Sequence, residues 1–318
     1  MQLSAVIDLG TNTFRLLVAQ VTEGGIKQVY SENQIARLGE GFSERKCFLP
    51  VAMERAIKIL LSFKERLDQY PVDLLSVVGT SAFREAENRD AFLLSIREKT
   101  GFSVEVISGE EEAYFTFLGA NLILCNTGRT LLIDIGGGST ELILAEGETP
   151  IKMISTALGV VSLTERYLRH DPTTRAACHP LQQEIKKILV PFVLDIPQDT
   201  LFAGTAGTLT TLAAMAQEMA RYDPEKINGY RLSKSVIDGL LTQLLPLSAE
   251  ERCRIPGLEK GREDLILSGI MILLTLMELC HFESVTVIDY GLREGILIDH
   301  DRKKKIGHLV ARHATRPS

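Results

Sequence analysis

Two short segments share a carboxylate followed by small residues: Ile7-Asp8-Leu9-Gly10-Thr11-Asn12-Thr13 and Ile133-Asp134-Ile135-Gly136-Gly137-Gly138-Ser139. Small residues after an aspartate leave backbone amides unobstructed, so a turn of this kind can converge several N–H donors on one anion. The chemistry this suggests is phosphate binding, with the amides of Gly136, Gly137, Gly138 and Ser139 facing those around Gly10, Thr11 and Asn12. Asp134 and Glu141 flank the second turn, and carboxylates beside phosphate oxygens commonly hold hydrated magnesium or another divalent cation. Asp8 flanks the first turn and is placed to assist through water. Neither segment has the Gly-Lys-[Ser/Thr] ending of a nucleotide-binding P-loop or dinucleotide-fingerprint spacing, and both of those patterns open a helix.

The two segments align without a gap, and each lies between apolar runs: 3–7 and 14–21 around the first, 130–133 and 140–145 around the second. These runs read as strands, so each loop is the turn of a β-hairpin and the chain is internally duplicated, with one phosphate loop per half. A ligand shared by both loops must sit in the cleft between the halves. Strands and helices alternate elsewhere. Ala52, Met53, Ala56, Ile57, Leu60, Phe63 and Leu67 recur as one helix face. A strand at 74–78 runs through Gly79-Thr80-Ser81 into a helix carrying Arg84, whose guanidinium is placed near a strand's carboxyl end to fork onto phosphate oxygens. A strand at 103–107 leads into Glu110-Glu111-Glu112 at a helix start. Crowded like charges raise a carboxylate's proton affinity while the helix terminus opposes the shift, so a general base is sought among these three. Further strands are expected at 200–203, entering Gly204-Thr205-Ala206-Gly207-Thr208 and a helix over 209–219, and at 285–288, entering Asp289-Tyr290-Gly291-Leu292-Arg293-Glu294-Gly295.

A chain of 318 residues suits two domains, and 45% hydrophobic with 24% charged residues is the balance of an ordinary globular protein. The net charge of −6 argues against a generic nucleic-acid binder, which needs a broad basic surface. Five dispersed cysteines without a CxxC pair indicate neither a zinc site nor a disulfide framework and fit a reducing cytoplasm. No secretory signal is read before Asp8, and the apolar stretch 266–280 is too short and interrupted for a membrane span, so it reads as a buried helix.

Asp134-Ile-Gly-Gly-Gly-Ser-Thr-Glu141, Gly79-Thr-Ser-Ala-Phe-Arg-Glu-Ala86, Ile107-Ser-Gly-Glu-Glu-Glu-Ala113 and Gly291-Leu-Arg-Glu-Gly295 together resemble the exopolyphosphatase/guanosine pentaphosphate phosphohydrolase family over nearly the whole chain. The resemblance implies an α/β fold of two RNase H-like (actin-like ATPase) domains with a phosphate-binding cleft between them. The expected units are 1–122, 123–300 and a basic tail, 301–318, packing back on the first domain. It implies hydrolysis of terminal phosphates from inorganic polyphosphate or guanosine pentaphosphate, assisted by a divalent cation, and leaves a homodimer open. It places the water-activating glutamate directly before the alanine, at Glu112, with Glu111 as its neighbour in register. It also makes Gly204 and Thr205 candidates for nucleoside or phosphate contact. Arg302-Lys303-Lys304-Lys305, His308, Arg312, His313 and Arg316 form the tail, suited to steering polyanions. A sugar- or acetate-kinase-like phosphotransferase would need an acceptor pocket and an adenine site. A non-catalytic sensor of guanosine polyphosphates would need no base.

Overall fold

The computed structural model describes residues 3–125, 128–194 and 196–314, and for the side chains stops at 304. The duplication read from the loops is a duplication of sheets. In the first half, β1 (Leu3–Leu9), β2 (Thr13–Thr22), β3 (Gly25–Ile35), β4 (Val72–Gly79) and β5 (Glu105–Val106) assemble in the order β3-β2-β1-β4-β5. In the second half, β6 (Arg129–Ile135), β7 (Thr140–Glu146), β8 (Thr149–Thr156), β9 (Leu201–Thr205) and β11 (Ser284–Val287) repeat that order, and β10 (Tyr230–Ser233) adds an antiparallel edge beside β11. In each half a three-stranded meander continues into parallel strands, the α/β architecture expected. The strand read at 103–107 is only two residues long, pairing just Val78 and Gly79 at the sheet edge.

Each sheet has its own apolar core. The predicted face of the helix Pro50–Leu67 buries Ala52, Ala56, Ile57, Leu60, Phe63 and Leu67 against β1 and β2, with Phe83 and Phe92 stacked nearby. The helix Ile266–Cys280 fills the second core, and no helix among the described residues is long and apolar enough to cross a membrane.

Two helices are exchanged between the halves. Gly109–Leu124 follows the first sheet, yet its Ala113, Phe117 and Ala120 pack on Leu132, Ile143, Ala145 and Ala203 of the second. Leu292–Ala314 follows the second sheet, yet its Leu292, Ile296 and Leu297 pack on Val6, Leu17, Ala19 and Val78 of the first. The expected boundaries at 122/123 and 300/301 therefore both fall inside continuous helices. The pair crosses at near backbone contact: a Cβ on Gly295 would lie 1.7 Å from the Phe115 carbonyl oxygen, and one on Gly119 would lie 2.0 Å from that of Gly291. Only glycine fits there. Of the basic tail, Lys303 pairs with Asp299 at 2.7 Å and Arg302 with Glu148 at 4.0 Å. The side chains of Lys305, His308, Arg312, His313 and Arg316 lie outside the described residues.

Candidate active site

The two loops are the same turn. Gly10 N–H donates to the Thr13 carbonyl at 3.2 Å and Gly136 N–H to the Ser139 carbonyl at 2.9 Å, and a Cβ on either glycine would press on that carbonyl at 2.8 or 3.0 Å. Those two amides are therefore used within the turns and are not available to an anion, a correction to the cradle read from the sequence. The amides of Thr11, Asn12, Gly137 and Gly138 donate to no acceptor among the described residues. The loops meet face to face, since a Cβ on Gly137 would lie 3.0 Å from the Asn12 nitrogen.

A cavity of about 410 Å³ opens beside them. Asp8, Asp134 and Glu112 line it, as do Thr205, Gly207, Tyr222 and Arg262. The exchanged helix delivers Glu112 to this cleft. There Arg84 Nη1 donates to Glu112 Oε2 at 2.6 Å and to the Ile107 carbonyl at 3.2 Å, while Nη2 lies 3.5 Å from Ser139 Oγ. Arg84 is thus engaged with the glutamate and is not among the residues lining the cavity. Glu111 turns away: its carboxylate accepts from Ser108 N–H at 2.8 Å while its own N–H donates to Ser108 Oγ at 3.1 Å, a reciprocal helix cap. These bonds hold the Glu111 carboxyl below its ordinary value, the opposite of what a base at neutral pH requires.

Glu141 is the cross-strand partner of Asp134 but lies one layer behind the cavity wall. Its Oε1 accepts from Ser155 Oγ at 2.7 Å. Its Oε2, together with Asp8 Oδ1 and Thr11 Oγ1, is buried without a hydrogen-bond partner. Asp134 accepts from Thr116 Oγ1 at 3.2 Å. Gly204 packs toward Leu209 and Ile133, and the glycine of this turn beneath a cationic side chain is Gly207, under the Arg262 guanidinium. Thr205 lines the cavity and donates to the Tyr290 carbonyl at 3.0 Å.

Three cavity arginines were not singled out from the sequence as phosphate ligands. Arg15 lies 3.8 Å from Asp8 across β1 and β2, and continuing the ungapped alignment of the two loops places it opposite Glu141, so the repeat itself carried the signal. Arg262 reaches Thr13 Oγ1 from the other half at 3.3 Å. Arg293 is tied to the Leu16 carbonyl and Ser31 Oγ at 3.3 and 3.1 Å, which fixes the last helix to the first sheet.

Burial pushes the Glu112 carboxyl up to about 7, opposed by Arg84 and reinforced by Asp134 and Asp8. Burial likewise lifts Asp134 to about 6, with Arg15 and Thr116 opposing. Glu141 is raised well above the carboxylate range by burial and then by Glu112 and Asp134. Such a cluster, with orphaned carboxylate oxygens, fits a hard divalent cation. Among the described residues no three His, Cys, Asp or Glu side chains close into a coordination set, so the fit is to an ion that keeps water and substrate oxygens as ligands.

Because Glu112 and Asp134 hold protons more tightly when folded, the metal-free native state binds more protons than the unfolded chain, up to about pH 7. Their stabilising contribution is present at low pH and is lost as pH rises through about 6 to 7. Thermal melts in chelator should show a lower midpoint at neutral pH than near pH 5.5. Glu141→Gln, which removes the cost of holding protonated in the fold an acid that ionises in the unfolded chain, should raise the neutral-pH midpoint by about 3 °C or more, the response to roughly 1 kcal/mol in a chain of this size. A lower midpoint in this variant would mean that the cluster is not under charge strain.

The Ppx/GppA phosphatase family matches over residues 17–304. Exopolyphosphatase 2 of Mycobacterium tuberculosis is 32% identical over 310 residues, covering 92% of this chain and 97% of its own. The guanosine-5'-triphosphate,3'-diphosphate pyrophosphatase of Vibrio atlanticus is 32% identical over 308 residues, covering 96% of this chain and 61% of its own. Among solved structures, the Ppx/GppA family member of Aquifex aeolicus superposes with a TM-score of 0.81 at 32% identity, covering 95% of this chain and 98% of that one. An exopolyphosphatase from Cytophaga hutchinsonii gives 0.87 at 30% identity, covering 93% and 97%. The matched span takes in Glu112, the second loop and the glycine crossing of the exchanged helices, and the chain belongs to the Ppx/GppA phosphatase family.

Proposed function

We propose that the cleft hydrolyses the terminal phosphoanhydride of an inorganic polyphosphate chain or of guanosine pentaphosphate, releasing orthophosphate. The observation that carries this reading is Glu112, a largely buried carboxylate poised near neutral pH that lines one cavity with two facing phosphate loops. Free amides of Thr11, Asn12, Gly137 and Gly138 hold the terminal phosphoryl group, and Arg15 and Arg262 face the oxygens behind it. Glu112 orients a water in line with the bond to be broken and accepts its proton, while Arg84 aims the carboxylate. When bound, magnesium supplies neutralisation of phosphate charge, with Asp134 as the facing carboxylate and Asp8 and Glu141 supporting through water.

Phosphate release from polyphosphates of defined length, guanosine pentaphosphate and ATP, each with and without magnesium, tests the reading. Transfer to a sugar or acetate acceptor in place of water would favour a kinase-like enzyme. Tight guanosine pentaphosphate binding without any release would favour a sensor.

The 2.6 Å pairing of Arg84 with Glu112 gives a separate expectation. Arg84 holds the Glu112 proton affinity down, so Arg84→Ala should move the acid limb of the pH–rate profile to higher pH. Activity lost at neutral pH should be partly recovered in alkaline buffer, and Arg84→Lys should restore much of the profile. An unmoved acid limb with a raised KM alone would return Arg84 to the role of phosphate clamp.

A further inference from the structure

A second cavity of about 200 Å³ adjoins the first across Thr11, Ser81, Gly137 and Gly138, which line both. The partition is a single layer. A Cβ on Gly138 would lie 2.5 Å from Thr11 Oγ1 and 2.7 Å from Ser81 Oγ, and Thr11 Oγ1 is a buried hydroxyl oxygen without a partner. Thr11 and Ser81 belong to the first half and the glycines to the second, so a small separation of the halves opens the layer. The far wall carries two exposed cations. Lys46 pairs with Glu85, and Arg166 lies over the Tyr167 ring at 5.2 Å. The nearby Glu165 carboxylate is occupied by Gly41 N–H, Ser43 N–H and Ser43 Oγ at 2.7, 3.3 and 2.6 Å, which closes the two halves over this cavity.

These positions matter because of where the product forms. On the hydrolytic reading above, on which this inference rests, the cleaved phosphate lies at the loops. The shortened chain still fills the main cavity toward Tyr222 and Arg262, so the phosphate must wait behind it or leave by another route. We propose that the smaller cavity is the exit port for orthophosphate, a transient oxyanion site gated by the contact of Thr11 and Ser81 with Gly137 and Gly138. Arg166 and Lys46 draw the anion outward to solvent. The enzyme then sheds phosphate while keeping the remaining chain bound.

The test separates formation of phosphate from its release in the full-length protein. Ala157 is an exposed residue of the port wall, and Ala157→Trp narrows it without touching the loops. Acid-quenched samples measure phosphate formed, and a fluorescent phosphate sensor measures phosphate free in solution. In Ala157→Trp the first turnover should be unchanged, so acid-quenched phosphate should appear as a burst of one bound phosphate per enzyme, while release should lag behind it by roughly tenfold. Arg166→Glu, a surface charge reversal that adds little bulk, should also delay release, and more so at low salt. Release in step with formation in both variants would overturn the proposal. So would a slowed first turnover for long polyphosphate but not for tripolyphosphate, because the port would then hold the substrate's tail. Absence of phosphate formation from any substrate by the unsubstituted enzyme would remove the hydrolytic reading itself, and this inference with it.

Discussion

Glu112→Gln is expected to lower turnover by about a hundred- to ten-thousand-fold, the usual contribution of a positioned general base, with polyphosphate affinity nearly unchanged. The substitution keeps size, and its amide oxygen can still accept from Arg84, but it cannot accept a proton from water. Affinity should hold because the phosphate contacts come from the loop amides and cavity arginines, and removal of one negative charge beside an anionic substrate slightly favours binding. Glu111→Gln is the matched control. Its carboxylate caps the helix Gly109–Leu124 through Ser108, so it should cost up to about 1 kcal/mol of stability and leave turnover within a few-fold. Single-turnover phosphate formation with both variants decides the matter. Equal, near-normal rates would mean that the base lies elsewhere in the cleft, and a loss confined to Glu111→Gln would move the role by one residue.

Removal of divalent cation should have a comparably large effect. Asp8, Glu112 and Asp134 face the cavity where an anionic chain must lie, and without a cation they repel it. Excess chelator should abolish turnover and magnesium should restore it. The proton affinity of the cluster gives the test a second readout. Because Asp134 is raised to about 6, protons compete with the ion below that value, and magnesium affinity should weaken as pH falls, by roughly tenfold per pH unit for one displaced proton. Calorimetric titrations should accordingly release protons into the buffer on binding. Full activity in chelator, or magnesium affinity independent of pH, would sink the metal role.

The parts of the site that were legible in the sequence are those set by local pattern. The paired loops, their flanking strands and the helix face of Ala52 to Leu67 follow from repeat and periodicity, and both hairpins fall where the alignment puts them. Ser108-Gly-Glu-Glu111 also carried a usable signal, because serine followed three residues later by glutamate is a helix-capping pattern, and that spacing alone separates Glu111 from Glu112. What could not be read depends on contacts made far along the chain. Thr116 reaches Asp134 and Arg262 reaches Thr13 only because two sheets and an exchanged helix are packed together. Arg84 illustrates the same limit. Its placement near a strand end is local, but whether it meets a phosphate or Glu112 is decided by where the helix Gly109–Leu124 docks, and that helix docks on the other half.

The exchange of helices also fixes an order of events during synthesis. Val6, Leu17, Ala19 and Val78 present an apolar face to which Leu292, Ile296 and Leu297 add their cover beside Ile107 and Phe115, and those three residues are made only after the whole second sheet. The first sheet must therefore wait on the ribosome with that face partly uncovered while the whole second half is made, and the helix Gly109–Leu124 waits with it for β6, β7 and β9. Neither half can bury its full core alone, so the nascent chain is expected to depend on shielding of this face until the helix Leu292–Ala314 emerges.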